Sequence, residues 1–360
     1  NPASLPAPAT FMNAQSAVVG VRGRDLLSTM RLLAAQSLKN PVRSGRHLLA
    51  FGGQLGRVLL GDTLHKVNPQ DARFADPTWH LNPFYRRSLQ AYLAWQKQLA
   101  AWIDDSDLSA DDRARARFLA SLMSDALSPS NSPLNPQAVK ELFNTGGSSA
   151  FKGLRHLLDD LLHNDGLPSQ VSKHAFEVGR NLACTPGAVV FRNDVLELIQ
   201  YKPITESVHE RPLLVVPPQI NKFYVFDLSP EKSVARFLLR NHVQTFVVSW
   251  RNPTKAQREW GLSTYIEALK EAIDVVTAIT GSKDVNMLGA CSGGITTASL
   301  LGHYAAIGEQ KVNSLTLLVS VLDTKLDTQV ALFADEKTLE AAKRRSYQAG
   351  VLEGKDMAKV

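Results

Sequence analysis

The sequence predicts an α/β fold, a doubly wound and mostly parallel sheet, preceded by an all-α N-terminal domain and followed by the start of a helical cap. Three observations predict it. Up to about Cys184 apolar residues recur at intervals of three and four, as in "PFYRRSLQAYLAWQKQLAAWIDD" and "SAFKGLRHLLDDLLHND", with Pro and Asn between the periodic stretches. From Thr185 short, continuously apolar runs alternate with helical ones, the pattern of parallel strands covered on both faces. At 286–298, "NMLGACSGGITTA" sets a cysteine between glycines where a strand gives way to a helix.

Residues 1–20 are uncharged and rich in Ala, Pro and Ser, so they are expected to be a disordered tail. The all-α domain is expected over 21–184. It opens on a basic, leucine-rich stretch: between Val21 and Lys66 there are eight Lys or Arg against Asp25 and Asp62. Leu27, Met30, Ala34 and Leu38 follow helical spacing. Two readings stand, a helix lying on an anionic or hydrophobic surface, or one packing on its own domain.

The sheet region, 185–334, opens with "GAVVFRNDVLELIQY", two strands and a tight turn at Asn193 and Asp194. "PLLVVPP" (212–218) is the third strand, "PEKSVARFLLRN" (230–241) a helix, and "VQTFVVSW" (243–250) the fourth strand. A helix over 261–281, a strand over 285–290, a helix from about Ser292 to Gly308 and a strand over 312–323 complete the pattern. An antiparallel hairpin leading into such a sheet is how an α/β-hydrolase fold begins. The segment 335–360 turns helical and charged, as the start of a cap would.

Length and composition exclude little: 360 residues, 44% hydrophobic and 21% charged, describe a globular chain that needs no disulfide or metal staple. The cysteines, Cys184 and Cys291, sit in unlike contexts, so free thiols in a reducing, cytoplasmic compartment are expected. No apolar run reaches bilayer-spanning length, and "NPASLPAPATFMNAQSAVV" lacks the layout of a secretory signal. No Cys/His spacing suits zinc and no phosphate-binding glycine loop follows a strand. No motif supports nucleic-acid binding.

Gly289-Ala290-Cys291-Ser292-Gly293 matches G-x-nucleophile-x-G in the strand-to-helix context that the motif requires. The turn forces close approach of strand and helix, so Gly289 and Gly293 must be small. N–H groups at the helix start favour a thiolate and a developing oxyanion. Sulfur rather than oxygen points to acyl transfer, since a thiolate attacking a thioester conserves its energy for a second acceptor. The oxyanion needs two backbone donors, the N–H of Ser292 and one from "PPQINKFY". Pro217 and Pro218 have none to give, which leaves Gln219 or Ile220.

A base and an orienting carboxylate should follow the nucleophile in this fold. His303 is the one histidine that does, but it lies twelve residues on in the same helix, about 18 Å along its axis. His242 precedes the fourth strand, at the wrong edge. Asp323 is a candidate carboxylate, with a strand-end role as the alternative. The partners are therefore expected beyond Val360, which makes the chain a truncated one, inactive alone. Cys184 is expected inert; Lys222, Arg251 and Lys255 are candidate contacts to phosphates, and Asp227 a turn or capping residue.

The sequence resembles the bacterial polyhydroxyalkanoate synthases. The resemblance rests on "GACSGG", "VVPPQINKFYVFDLSP" (215–230), "SWRNP" (249–253), "RFADPTWHLNPFYR" (73–86) and "SPSNSPLNP" (128–136), and is closest to the medium-chain type with one kind of subunit. It implies a cytoplasmic acyltransferase at the surface of polyester granules. Such an enzyme polymerises (R)-3-hydroxyacyl-CoA thioesters with CoA release, through an acyl-Cys291 intermediate. By the same resemblance it works as a homodimer, with granule-coating proteins as further partners and no cofactor beyond the CoA carried by the substrate. Two alternatives are a cysteine-dependent thioesterase or esterase, and a non-catalytic granule-associated protein.

Overall fold

The computed structural model describes residues 23–164, 166–169, 171, 172, 175–323, 332 and 336–351; the expected tail at 1–20 lies outside them. Contacts divide the chain into two compact units, one built on the residues up to Gln170, the other on Val171–Leu326 with part of the helix that follows.

In the first unit α1 (Gly23–Lys39), α2 (Pro41–Leu60), α3 (Pro83–Asp104), α4 (Ala110–Ala126), α5 (Pro136–Asn144) and α6 (Ser148–His163) follow one another. Their starts are locally encoded. Pro opens α2, α3 and α5, and the side chains of Asn82, Ser109 and Asn135 accept the N–H groups of Phe84, Asp112 and Gln137. Phe74, Trp79, Leu89 and Tyr92 form one core, with the Phe74 and Trp79 rings edge to face at 5.2 Å. Ile103, Leu108 and Ala116 form another, against which Leu32 and Leu33 of α1 pack. Leu27, Met30 and Leu38 point away from it, 45%, 49% and 83% exposed. The helix thus packs on its own domain through Leu32 and Leu33, while the stripe read from the sequence is exposed among the described residues.

Asp76 is a further anchor. Its carboxylate accepts from Lys140 Nζ at 2.7 and 2.9 Å and from the Thr78 N–H at 2.9 Å, and these bonds, Lys140 first, hold its pKa down to about 2. A depressed carboxylate stabilises the fold above its unfolded pKa, and that contribution disappears as pH falls through the folded one. The gap in urea midpoint between the native protein and Asp76→Asn should be constant near about pH 6 and close between about pH 4 and about pH 2. A gap that stays constant down to the acid limit would refute this.

In the second unit β1 (Gly187–Arg192) and β2 (Leu196–Tyr201) form the expected antiparallel hairpin. The Asn193 side chain closes its turn by accepting from the N–H groups of Val195 and Leu196. After β3 (Leu213–Val216) comes a small ribbon, β4 (Asp227–Ser229) with β5 (Lys232–Ser233), and then α7 (Val234–Arg240). β6 (Thr245–Trp250), α8 (Leu262–Thr280), β7 (Val285–Ala290), α9 (Ser292–Ile307) and β8 (Val312–Leu318) follow. The sheet order is β1-β2-β6-β3-β7-β8, and β6, β3, β7 and β8 run parallel.

Alternation along the strands splits the core between the two faces of the sheet. Leu214, Val216, Phe246, Val248 and Met287 meet α8 and α9, while Val215 and Val247 meet Ala235 and Leu239 of α7. Each such side chain contributes about 1.5–3 kcal/mol on full burial.

Three boundaries differ from expectation. The helix expected over 230–241 starts at Val234, because the preceding residues pair in the ribbon and Ser233 Oγ caps the Arg236 N–H at 2.9 Å. The strand expected to reach Asp323 ends at Leu318. The second unit begins at Val171 rather than Thr185, since 177–182 fold into a tight turn and the Ala183 N–H bonds the Asp227 carbonyl at 2.9 Å. In the expected cap, α10 (Glu336–Ala349) is helical, and Arg258 lies 4.4 Å from the centroid of the Tyr347 ring.

Candidate active site

The bend at Cys291 is built from the two strands beside it. Cys291 follows β7 and precedes α9 with φ 50° and ψ −120°, a conformation that costs a non-glycine residue about 1–3 kcal/mol. Its N–H donates to the Leu318 carbonyl at the end of β8 at 2.9 Å, and its own carbonyl accepts from Gly294 and Ile295 at 3.0 and 3.2 Å. The turn is thus tied at both ends, and the residue stands exposed.

Close approach explains the glycines. A Cβ on Gly289 would lie 2.3 Å from Thr297 Oγ1 and 2.7 Å from Gly294 Cα. On Gly293 it would lie 2.4 Å from the Val216 carbonyl oxygen, at the end of β3. Gly294, not singled out in the sequence, is equally confined: a Cβ there would lie 1.9 Å from Ser320 Oγ. The doubled glycine of "CSGG" was the signal available for it.

The two residues considered as loop donors are placed differently. The Gln219 N–H donates to Ser292 Oγ at 3.2 Å, so it is committed and not free to meet an oxyanion. Ile220 occupies the turn that the Asn221 N–H closes on the Pro218 carbonyl at 3.1 Å, and is exposed. The N–H groups of Ile220 and Ser292 have no acceptor among the described residues. Two further groups hold this loop. Trp250 Nε1 donates to the Pro217 carbonyl at 2.7 Å, and Gln219 Nε2 donates to Thr296 Oγ1 at 2.9 Å. Neither contact had a signal in the sequence, because each joins residues over 30 positions apart.

The described histidines of the unit stand elsewhere. His303 lies in α9 three turns from Cys291, its Nε2 buried without a partner among the described residues. His242 precedes β6 and bonds the Ser207 carbonyl at 2.9 Å, with the His209 ring 6.1 Å away. With β8 ending at Leu318, Asp323 lies beyond the strand end where it was expected. Asp227 is buried and accepts from Thr185 Oγ1 and Ser233 Oγ, both at 2.6 Å, so it fastens the segment leading into β1 to the ribbon. Cys184 is half-buried beside that fastening. Lys222 and Lys255 are exposed, and Arg251 reaches the Asp194 carbonyl at 3.4 Å. No cluster of His, Cys, Asp or Glu among the described residues is placed to hold a metal.

The arrangement presents an exposed thiol on a strained bend, with helix-start amides beside it and a proline-stiffened loop across from it. Comparison with known proteins agrees with the fold. Residues 70–238 match the family described as the poly-beta-hydroxybutyrate polymerase N-terminus, and 212–360 match the alpha/beta hydrolase fold family. Poly(3-hydroxyalkanoate) polymerase 1 of Ectopseudomonas oleovorans is 65% identical over 343 residues, 95% of this chain and 61% of that protein. Polymerase 2 of the same organism is 62% identical over 354 residues, 98% of this chain and 63% of that protein. A polymerase subunit of Cupriavidus necator is 38% identical over 328 residues, 90% of this chain and 54% of that one. The chain spans about three fifths of the length of the first two.

Proposed function

The chain belongs to the poly(3-hydroxyalkanoate) polymerase family, and from that premise we propose that the protein is an acyltransferase that joins (R)-3-hydroxyacyl-CoA thioesters into polyester. The observation that carries the reading is the seat of Cys291, exposed at φ 50° between β7 and α9. The Cys291 thiolate attacks the thioester carbonyl; a carbon–sulfur bond forms to the enzyme and the bond to CoA breaks. CoA leaves as a thiolate and takes up a proton. The 3-hydroxyl oxygen of another acyl unit, losing its proton to a base, then attacks the acyl-cysteine, so the chain grows by one ester and the thiolate returns. Ser292 and Ile220 N–H groups meet the oxyanion in both halves. The base is a histidine that the described residues do not bring to Cys291, and no resident cofactor is needed for either step.

The partner of the first unit is proposed to be the granule surface. Leu27, Met30 and Leu38 of α1 and Val42, Leu48, Leu49, Leu59 and Leu60 of α2 are all exposed on a basic pair of helices, which suits a hydrophobic surface. No described helix is long and apolar enough to cross a bilayer.

The test is incubation of the full-length protein with radiolabelled medium-chain (R)-3-hydroxyacyl-CoA. Label should appear in solvent-extractable polyester in step with CoA release. Free 3-hydroxy acid in place of polymer would overturn the reading in favour of a thioesterase, and no CoA release would favour a non-catalytic protein.

A further inference from the structure

We propose that Gln219 is a positioning residue for the acyl-transfer step, its side chain clamping the loop after β3 to the first two turns of α9 so that the Ile220 N–H keeps a fixed place opposite Ser292. The proposal rests on the acyl-transfer reading of Cys291.

The clamp has two arms. The main-chain N–H of Gln219 donates to Ser292 Oγ at 3.2 Å, and its side-chain Nε2 donates to Thr296 Oγ1 at 2.9 Å. Thr296 is buried and its hydroxyl donates to the Ser292 carbonyl at 2.9 Å. Its one proton is therefore used, its oxygen must accept from Gln219, and the orientation of the Gln219 amide is settled. That orientation leaves Gln219 Oε1 buried without a partner among the described residues. An orphaned acceptor is destabilising, and an apolar side chain of the same length would avoid it. Stability alone is thus a poor reason for an amide here.

Loop stiffness is the better reason. Pro217 and Pro218 fix their own φ angles but supply no N–H to hold the loop down. At its root the loop is held by Trp250 on the Pro217 carbonyl and by the close approach of Gly293 to Val216 and Pro217. From Ile220 to Lys222 it is exposed. Gln219 is the point where the tip is fastened, one residue before the proposed donor. An oxyanion donor acts through preorganisation, so loosening its support slows the chemistry while leaving the nucleophile itself reactive.

The test compares full-length native protein with Gln219→Met, which keeps length and packing but removes the bond to Thr296, and with Thr296→Val. Three readouts are taken: CoA release from (R)-3-hydroxyacyl-CoA, alkylation of Cys291 by iodoacetamide, and trypsin cleavage after Lys222 followed by mass spectrometry. Both variants should lower kcat by about ten- to a hundredfold with KM little changed. Alkylation, which needs no oxyanion donor, should be unaltered, and cleavage after Lys222 should quicken. The double variant should be no worse than either single one. Faster cleavage with unchanged CoA release would overturn the positioning role, and unchanged cleavage would overturn the clamp. Alkylation falling in parallel with turnover would assign the loss to general disruption and also overturn the proposal. If the native protein releases no CoA, the acyl-transfer reading fails, while cleavage after Lys222 still decides the clamp.

Discussion

Full-length protein carrying Cys291→Ala should release CoA at least about a thousandfold more slowly than the native enzyme, the scale on which loss of a covalent nucleophile acts. It should also take up no label from radioactive substrate. Because residue 291 is exposed and its bonds among the described residues all use its own main-chain atoms, the variant's thermal melting should scarcely move, which separates lost chemistry from lost fold. Cys291→Ser is the sharper comparison. An alkoxide at the same bend can still be acylated slowly, but the product is an oxygen ester, and transfer from it to a hydroxyl no longer runs downhill from a thioester. Label should therefore accumulate on the serine variant in a form that resists neutral hydroxylamine, whereas label on the native enzyme is released by it. Full turnover by Cys291→Ala would remove the basis of the proposed mechanism.

How legible the molecule was in its sequence depended on how local each determinant is. The strands at 213–216, 245–250 and 285–290 are continuous apolar runs, and β1 with β2 announces itself through its turn residues, so the sheet could be read directly. The Cys291 elbow was equally plain, since five consecutive residues define it. Boundaries set by distant partners were not. Val234 begins a helix only because Lys232 and Ser233 pair with β4, and the second unit begins before Thr185 because 177–182 form a turn and the Ala183 N–H bonds the Asp227 carbonyl across 44 positions. The same limit applied within the site. Gln219 and Ile220 are equal candidates in sequence, and it takes the placement of Ser292 Oγ to commit the N–H of the first. For α1, helical spacing identified an apolar stripe but could not say which apolar residues pack; Leu32 and Leu33 lie against the core, and Leu27, Met30 and Leu38 are exposed among the described residues.

Gly293→Ala should disrupt the second unit by a single methyl group set against backbone. Its Cβ would stand 2.4 Å from the Val216 carbonyl oxygen, 2.6 Å from that of Pro217 and 2.9 Å from the Pro217 carbonyl carbon. These are backbone atoms of a strand end stiffened by two prolines, so no rotamer change relieves the overlap. Overpacking of this kind is destabilising by about 1–3 kcal/mol, and the strain falls where α9 begins. Relief requires the start of the helix to retreat from β3, which separates the Ser292 N–H from the loop that carries Ile220. Turnover should therefore fall with stability, and by more than the loss of folded protein accounts for. Gly302→Ala on the same helix is the control, because a Cβ there meets nothing within 4 Å, and removing a helix-interior glycine stabilises by about 1 kcal/mol. Opposite shifts in melting temperature for the two substitutions would tie the glycine requirement to the elbow rather than to the helix. Equal shifts would mean that β3 and α9 are free to separate, and that the fixed approach on which the paired donors depend does not exist.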